Sequence, residues 1–496
     1  MTARVLMVQG TASSAGKSLV VAGLCRLYAR RGFSVAPFKS QNMALNSFAT
    51  PAGGEIGRAQ ALQAEAAGVA PHVDMNPVLL KPTGEKGSQV VVLGRPRGVY
   101  TVHEYYALKE ELWPVVTGAL DRLRDGYDIV FAEGAGSPAE INIRRHDIAN
   151  MEVALYAQAP VLIVGDIERG GLFAALLGTM GLLAEREQEL VAGYVINKFR
   201  GDERLLEPGL ELVRERTGRP VLGVLPYLTD LCLDEEDSVG LTGRGGAPTP
   251  GDLVVAVVRL PRIANYTDFL PLETTDGVAV CYVDRPSDLA SAHVVIIPGS
   301  KETLSDLEWL RRRGLDLALA EFVGRGRPLL GICGGYQMLG ETIRDGPREV
   351  PGLGLLPLTT WFEVEKRTVQ VRGVTADGPW GIPGGLPVRG YEIHMGVSRV
   401  FGGNPLFLLG EDGGEMLPEG CASESGLVAG TYLHGCFDHD RYREKWVAEM
   451  RRLAGLPPRA ATETGYAVRR QQDLERVADL LETRIGVDRL DGILGL

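Results

Sequence analysis

The chain has 496 residues and a formal net charge of −11. That length exceeds one ordinary hydrophobic core, so two or three domains are expected, and the acidic balance argues against general binding to nucleic acid or to an anionic membrane surface. No apolar run approaches the length of a membrane span, and the N-terminus runs straight into an apolar strand, which predicts neither a membrane segment nor a signal peptide.

From Met1 to about Leu228, apolar runs alternate with amphipathic helical stretches. Strands are predicted at Val5–Val8, Ser34–Phe38, Ile129–Ala132, Val161–Val164, Gly193–Asn197 and Val221–Val224. This alternation predicts a parallel sheet covered by helices on both faces. Ligands then bind at the carboxyl ends of the strands. The first such end is Gly10-Thr11-Ala12-Ser13-Ser14-Ala15-Gly16-Lys17-Ser18, between a strand and the helical run Leu19–Arg31. Its backbone N–H groups and the helix N-terminus suit a phosphate chain. Gly10, Thr11 and Gly16 shape the loop, Lys17 can reach the β/γ-phosphates, and the Ser18 hydroxyl can ligate Mg²⁺. The loop carries one residue more than the usual pattern.

Strand two ends in Lys39-Ser40-Gln41-Asn42-Met43, which puts Lys39 near the phosphate loop. The Ile129–Ala132 run ends in Glu133, an acid followed by glycines, an arrangement that holds Mg²⁺ against a nucleotide. A polar cluster, Arg144, Arg145, His146 and Asp147, follows it. At the next strand end, Asn197 can pair with an adenine edge, while Lys198 and Arg200 can meet carboxylates. Lys39, Asn42, Asp147, Lys198 and Arg200 are thus candidates for an anionic substrate. Gly240–Gly251, rich in Gly, Pro and Thr, reads as a linker.

Beyond it the α/β pattern restarts at Leu253–Val258, Val278–Tyr282, Val294–Ile297 and Pro328–Ile332. The last run leads into Gly331-Ile332-Cys333-Gly334-Gly335, a strand, a sharp turn and a helix. Such an elbow exposes a nucleophile at a helix N-terminus, which favours a thiolate. The Pro298–Lys301 turn can supply backbone donors for an oxyanion. His434, in Tyr432-Leu433-His434-Gly435, is the candidate base, and His394 competes with it. From about Asp440 onward the chain reads as helical and charged, with Trp446 and Leu453 facing inward. The six cysteines are scattered without metal-type pairing, which predicts a reducing, cytoplasmic setting.

Taken together these motifs resemble the cobyric acid synthase family of glutamine-dependent corrinoid amidotransferases. The resemblance runs through the variant phosphate loop, Ser40–Met43, Met75–Pro82, Glu133–Glu140, Asn197–Asp202, the Cys333 elbow, Gly390–Gly396 and Tyr432–Gly435. It implies two doubly wound α/β domains: a dethiobiotin-synthetase-like ATPase-type amide ligase over 1–240 and a class I-type glutaminase over 252–496. It also implies amidation of the b, d, e and g carboxylates of adenosylcobyrinic acid a,c-diamide, using ATP, Mg²⁺ and glutamine. Related glutaminases place a Glu two residues after the catalytic His. Here Cys436 stands there, so a Cys333–His434 dyad is expected. The rival reading within the same two-domain plan is cobyrinic acid a,c-diamide synthase. A partitioning-type ATPase would leave the Cys333 elbow without a role.

Overall fold

The computed structural model describes residues 2–84, 87–234, 248–459 and 464–496. Residues 240–247 of the predicted linker lie outside the described residues. Every strand predicted for the first half forms. They make one all-parallel sheet in the order Val221–Pro226, Val191–Phe199, Val161–Asp166, Arg4–Gly10, Ile129–Glu133, Val35–Phe38. Helices cover both faces, so these strands are apolar almost throughout instead of alternating. The Arg4–Gly10 strand lies centrally, with Ile129–Glu133 on one side and Val161–Asp166 on the other. Successive connections therefore diverge at its carboxyl end, and a crevice opens there. Register sets the chemistry: Val8 faces Glu133 and Gly10 faces Val164.

The second half holds a six-stranded sheet ordered Val278–Val283, Leu253–Val258, Val294–Ile297, Leu329–Ile332, Val428–Thr431, Cys421–Ala422, with only the last pair antiparallel. Ile332 pairs with Thr431, so the turns bearing Cys333 and His434 leave the sheet side by side. A four-stranded sheet and a further six-stranded sheet lie outside the predicted pattern. Gln41–Met43, Val78–Thr83, Gly87–Val92 and Arg95–Tyr100 form one. A long hairpin, Leu358–Thr375 with Pro387–Val400, anchors the other.

Trp446 is fully buried, as expected, but Leu453 is 37% exposed. The buried stripe of helix Asp440–Leu453 runs through Tyr442, Trp446 and Met450. Leu453 stands seven residues after Trp446, only about 20° around the helix and so on the same face, but it is the last residue of the helix, past Met450 where the buried apolar stripe stops.

After this helix the chain returns to the first half. Helix Tyr466–Arg484 packs along the phosphate-loop helix Lys17–Arg30, with Gly23 meeting Val477 and Leu481. Leu474, Val477, Ala478, Leu481, Leu490 and Leu494 join the same core as Leu6, Val21, Leu24 and Phe131. Arg26 and Arg30 add ion pairs to Glu475 and Asp479. Those pairs are partly exposed and contribute little; the apolar seam carries the contact. We expect Leu481→Ala to lower stability by about 2–5 kcal/mol through the buried volume it removes. Denaturant titration of the full chain checks this, and an unchanged midpoint would detach the C-terminal helix from the first core.

Candidate functional site

At the first sheet's carboxyl edge the loop closes around Lys17. Its Nζ donates to Ala12 O at 3.0 Å and to Gly136 O at 3.1 Å, so loop and lysine are already organised around each other. Gly16 sits at φ +101, and a Cβ there would lie 2.0 Å from Asn197 Nδ2. Only glycine fits. Asn197 uses that nitrogen on Ala15 O at 2.9 Å and thereby braces the loop.

Glu133 is the hub beneath. Its Oε1 accepts from Ser18 Oγ at 2.9 Å and from Lys39 Nζ at 2.9 Å, and its Oε2 accepts from Gln63 Nε2 at 2.6 Å. Burial alone would raise the Glu133 pKa, but Lys39, Gln63 and Lys17 outweigh it and hold the carboxyl below its ordinary range. A buried pair of this kind costs about 3–5 kcal/mol when one partner is removed, because the other charge stays behind. The sequence reading placed Lys39 near the loop but missed Gln63, which reaches in from helix Arg58–Ala67. A lone Gln in a helical run carries no signal of its own.

The other candidates divide. Asn42 is buried and donates to Gln60 at 2.8 Å. Lys198, at φ +63, reaches Ser14 O and Asp166 at 2.8 and 2.9 Å, so it borders the loop. Arg200 lies further out, stacked over Tyr227 and 3.4 Å from Glu168. Asp147 spends Oδ1 on the backbone N–H groups of Ala149 and Asn150, a turn that starts helix Met151–Ala157. Arg144 pairs with Glu187, and Arg145 is exposed. The arrangement brings Lys17, Ser18, Lys39, Glu133, Asn197 and Lys198 together, and leaves Arg144, Asp147 and Arg200 on separate partners.

The second site is built on strain. Cys333 has φ +51 and ψ −107, a conformation worth about 1–3 kcal/mol in a non-glycine residue. Its neighbours permit it. A Cβ on Gly335 would lie 2.0 Å from Ile297 O, and one on Gly331 would press on Leu339 and Gly335. The thiol is buried and points at Ile393 O, 3.6 Å away. His434 is buried too, and Cys333 is near enough to raise its pKa. Its Nδ1 meets Asp268 Oδ2 at 2.7 Å, and Asp268 Oδ1 accepts from Gly435 N at 3.0 Å. The imidazole therefore has an acid beside it, and the geometry groups Asp268 with the Cys333–His434 pair. Asp268 lies far upstream, in the 3₁₀ turn Tyr266–Phe269 beyond the carboxyl end of the Leu253–Val258 strand. That strand end was the one available sequence signal. Cys436 is buried at the position where a Glu was looked for. Burial alone would lower the His434 pKa; Asp268 and Cys333 outweigh it and raise it to about 10. His394 is engaged elsewhere, with Nδ1 on Gly396 O and its ring stacked on Tyr432.

Cys333 and His434 open into a cavity of about 640 Å³ whose far wall comes from the first half. Lys81 and Gln89 line it there, opposite Lys301 and Lys366. Lys81 and Lys366 both bind the buried carboxylate of Glu55, and Lys301 donates to Gln89 at 2.6 Å. Burial, with Lys81 and Lys366 nearby, pushes Lys301 down to about 7.

Comparison with known proteins agrees with this two-site plan. The family description "CobQ/CobB/MinD/ParA nucleotide binding domain" matches residues 6–239, and "CobB/CobQ-like glutamine amidotransferase domain" matches residues 254–442. The chain is 76% identical over 496 residues to the cobyric acid synthase of Desulforudis audaxviator (strain MP104C), covering 100% of both. It is 52% identical over 520 residues to that of Sorangium cellulosum (strain So ce56), covering 100% of this chain and 99% of that one. The cobyric acid synthase of Moorella thermoacetica (strain ATCC 39073 / JCM 9320) is 49% identical over 507 residues, at 100% and 98% coverage. With a nucleotide-binding half, a glutaminase-like half and relatives matched from end to end, this chain belongs to the cobyric acid synthase family.

Proposed function

We propose that the chain converts adenosylcobyrinic acid a,c-diamide to adenosylcobyric acid, amidating the b, d, e and g carboxylates with ATP and glutamine. The observation that carries this reading is the end-to-end similarity to cobyric acid synthases. The geometry supplies a rationale for each half-reaction. A carboxylate is a poor electrophile, so it must first attack the γ-phosphorus of ATP, expelling ADP and leaving an acyl phosphate. Positioning and charge stabilisation do most of this work. Loop amides and Lys17 would bind the phosphates, with Lys17 exchanging its contacts to Ala12 and Gly136 for phosphate oxygens. Ser18 and Glu133 offer hard oxygen donors that fit Mg²⁺, which when bound neutralises phosphate charge. Lys39 and Gln63 keep Glu133 ionised and aimed. Lys198 and Arg200, bordering the loop and further out, are the cations offered to the remaining corrin carboxylates.

Ammonia comes from the second site. The Cys333 thiolate attacks the glutamine side-chain amide, and the His434 imidazolium gives its proton to the departing ammonia. A glutamyl thioester remains. His434 then takes a proton from water, which attacks the thioester and releases glutamate and the thiolate. Backbone N–H groups of Gly334 and Ser300, which come close together at this elbow, would stabilise the oxyanion. The direct test is incubation with ATP, Mg²⁺, glutamine and the a,c-diamide, followed by mass spectrometry. Addition of four amides is expected. Inactivity there, with two amides added to cobyrinic acid itself, would assign the chain to the diamide-forming activity.

The two halves should separate by nitrogen source. Cys333→Ala is expected to abolish glutamine use and to keep amidation with high ammonia. Lys17→Ala and Glu133→Gln are expected to lose both. Equal loss with both donors in Cys333→Ala would remove the thiol from this role.

The Asp268 contact sets a pH dependence. With His434 raised to about 10, the imidazolium persists through neutral pH. Glutamine hydrolysis should hold as pH rises and decline only as that proton is lost near pH 10. In Asp268→Asn the main raising group is gone while burial still lowers the pKa. The alkaline decline should then shift to lower pH, and kcat should fall by about a hundredfold or more. A pH–rate profile that coincides with the parent's would exclude Asp268 from orienting the base.

A further inference from the structure

The stretch Asn46–Arg58 belongs to the first half of the chain, yet it holds both groups that flank His434. On one flank, Tyr266 N donates to Asn46 Oδ1 at 3.2 Å, and Ser47 N donates to Asn265 Oδ1 at 2.9 Å. This is a reciprocal exchange: each asparagine side chain caps the other half's backbone. Both asparagines are buried. Asn265 sits at φ +53 and leads directly into the Tyr266–Phe269 turn that carries Asp268. On the other flank, the Phe48 ring packs on Tyr391 at 5.0 Å and Arg58 lies over both rings. Tyr391 in turn stacks on His434 at 5.3 Å and exchanges backbone hydrogen bonds with it at 3.1 and 2.9 Å. Gln370 adds a bond to Ala49 O at 2.9 Å.

The Asp268 turn is a short 3₁₀ segment entered through a left-handed residue and continued by the one-turn helix Leu270–Glu273. Such a turn has few backbone bonds of its own to fix it. A residue in that conformation persists when its surroundings hold it there. The second half supplies the core around Tyr266 and Phe269 and the Gly435 N–H on Asp268, and the ligase half supplies the bonds at the entry to the turn. We propose that Asn46 and Asn265 are positioning residues that couple the two activities: they hold the Asp268 turn in place, so the imidazole of His434 is aligned only when the ligase half is docked. This rests on the reading of Cys333, His434 and Asp268 as the glutaminase set. Neither asparagine side chain bonds to Cys333 or His434; each acts through the turn. The chemical logic is that ammonia is released only where a docked ligase half can use it.

The test uses the full-length protein with two variants, one on each half. Asn46→Ala removes one acceptor. Asn265→Gly removes the other while keeping positive φ accessible. The expected result for each is a fall of about tenfold in kcat for glutamine-dependent amidation, the scale of one lost hydrogen bond. The KM for glutamine and the ammonia-dependent rate should stay within about twofold, within measurement scatter for an untouched site. A thermodynamic cycle supplies the readout that a merely structural role would not give. If Asn46 acts through Asp268, adding Asn46→Ala to Asp268→Asn should cost almost nothing further. Normal glutamine-dependent turnover, a parallel fall with ammonia, or full additivity with Asp268→Asn would each overturn the proposal. Retention of glutamine use by Cys333→Ala would instead overturn the reading on which it rests.

Discussion

A parallel sheet leaves the carboxyl ends of its strands open, and at a switch of connection direction the loops part to form a crevice. This chain meets that constraint twice, once in each half. In the first, the crevice falls at Gly10, and register places Glu133 opposite Val8, just below the loop. In the second, register places Ile332 against Thr431, so the cysteine and histidine turns emerge together. Neither chemistry depends on a long mobile loop for its central residues. Each is set by hydrogen-bonded strand pairing, and the surrounding packing adjusts to it.

This explains which parts were legible from residues alone. Strands buried on both faces read as unbroken apolar runs, and Val5–Val8, Ile129–Ala132 and Val161–Val164 were recognisable for that reason. Lys17, Ser18 and Cys333 were recognisable because glycines mark where backbone must turn sharply or pass closely. Asp268, Gln63 and Asn46 were not. Their importance arises when segments distant in sequence converge, and nothing in their own neighbourhoods announces it. Asp147 illustrates the reverse case. An acid in a polar cluster looked available to a ligand, yet local backbone N–H groups take its oxygen to begin a helix, the usual competition offered by short polar side chains.

The boundary between the halves is unusual in what it buries. Glu55 gathers Lys81 from its own half and Lys366 from the other, beside the Cys333 cavity. Burial would raise the Glu55 pKa, but the two lysines overcome it and keep the carboxylate ionised. Two buried cations on one anion leave an excess of positive charge. Lys301, facing the same cavity, answers with a lowered pKa. The wall of the glutamine-side cavity is therefore an electrostatic object shared by both halves: the second half brings Lys366 to an acid–lysine pair that the first half already holds.

The helix Tyr466–Arg484 has a consequence for how the chain is made. Domains generally fold in order as they leave the ribosome. Here the apolar face of Lys17–Arg30 receives its cover from Leu474, Val477, Ala478 and Leu481, which are synthesised more than 400 residues later. The nucleotide-binding half waits, incompletely sealed, through synthesis of the whole glutaminase half. That seam stays exposed until Tyr466–Arg484 has been made, so the emergence of this helix is the event that closes the ATP-side core.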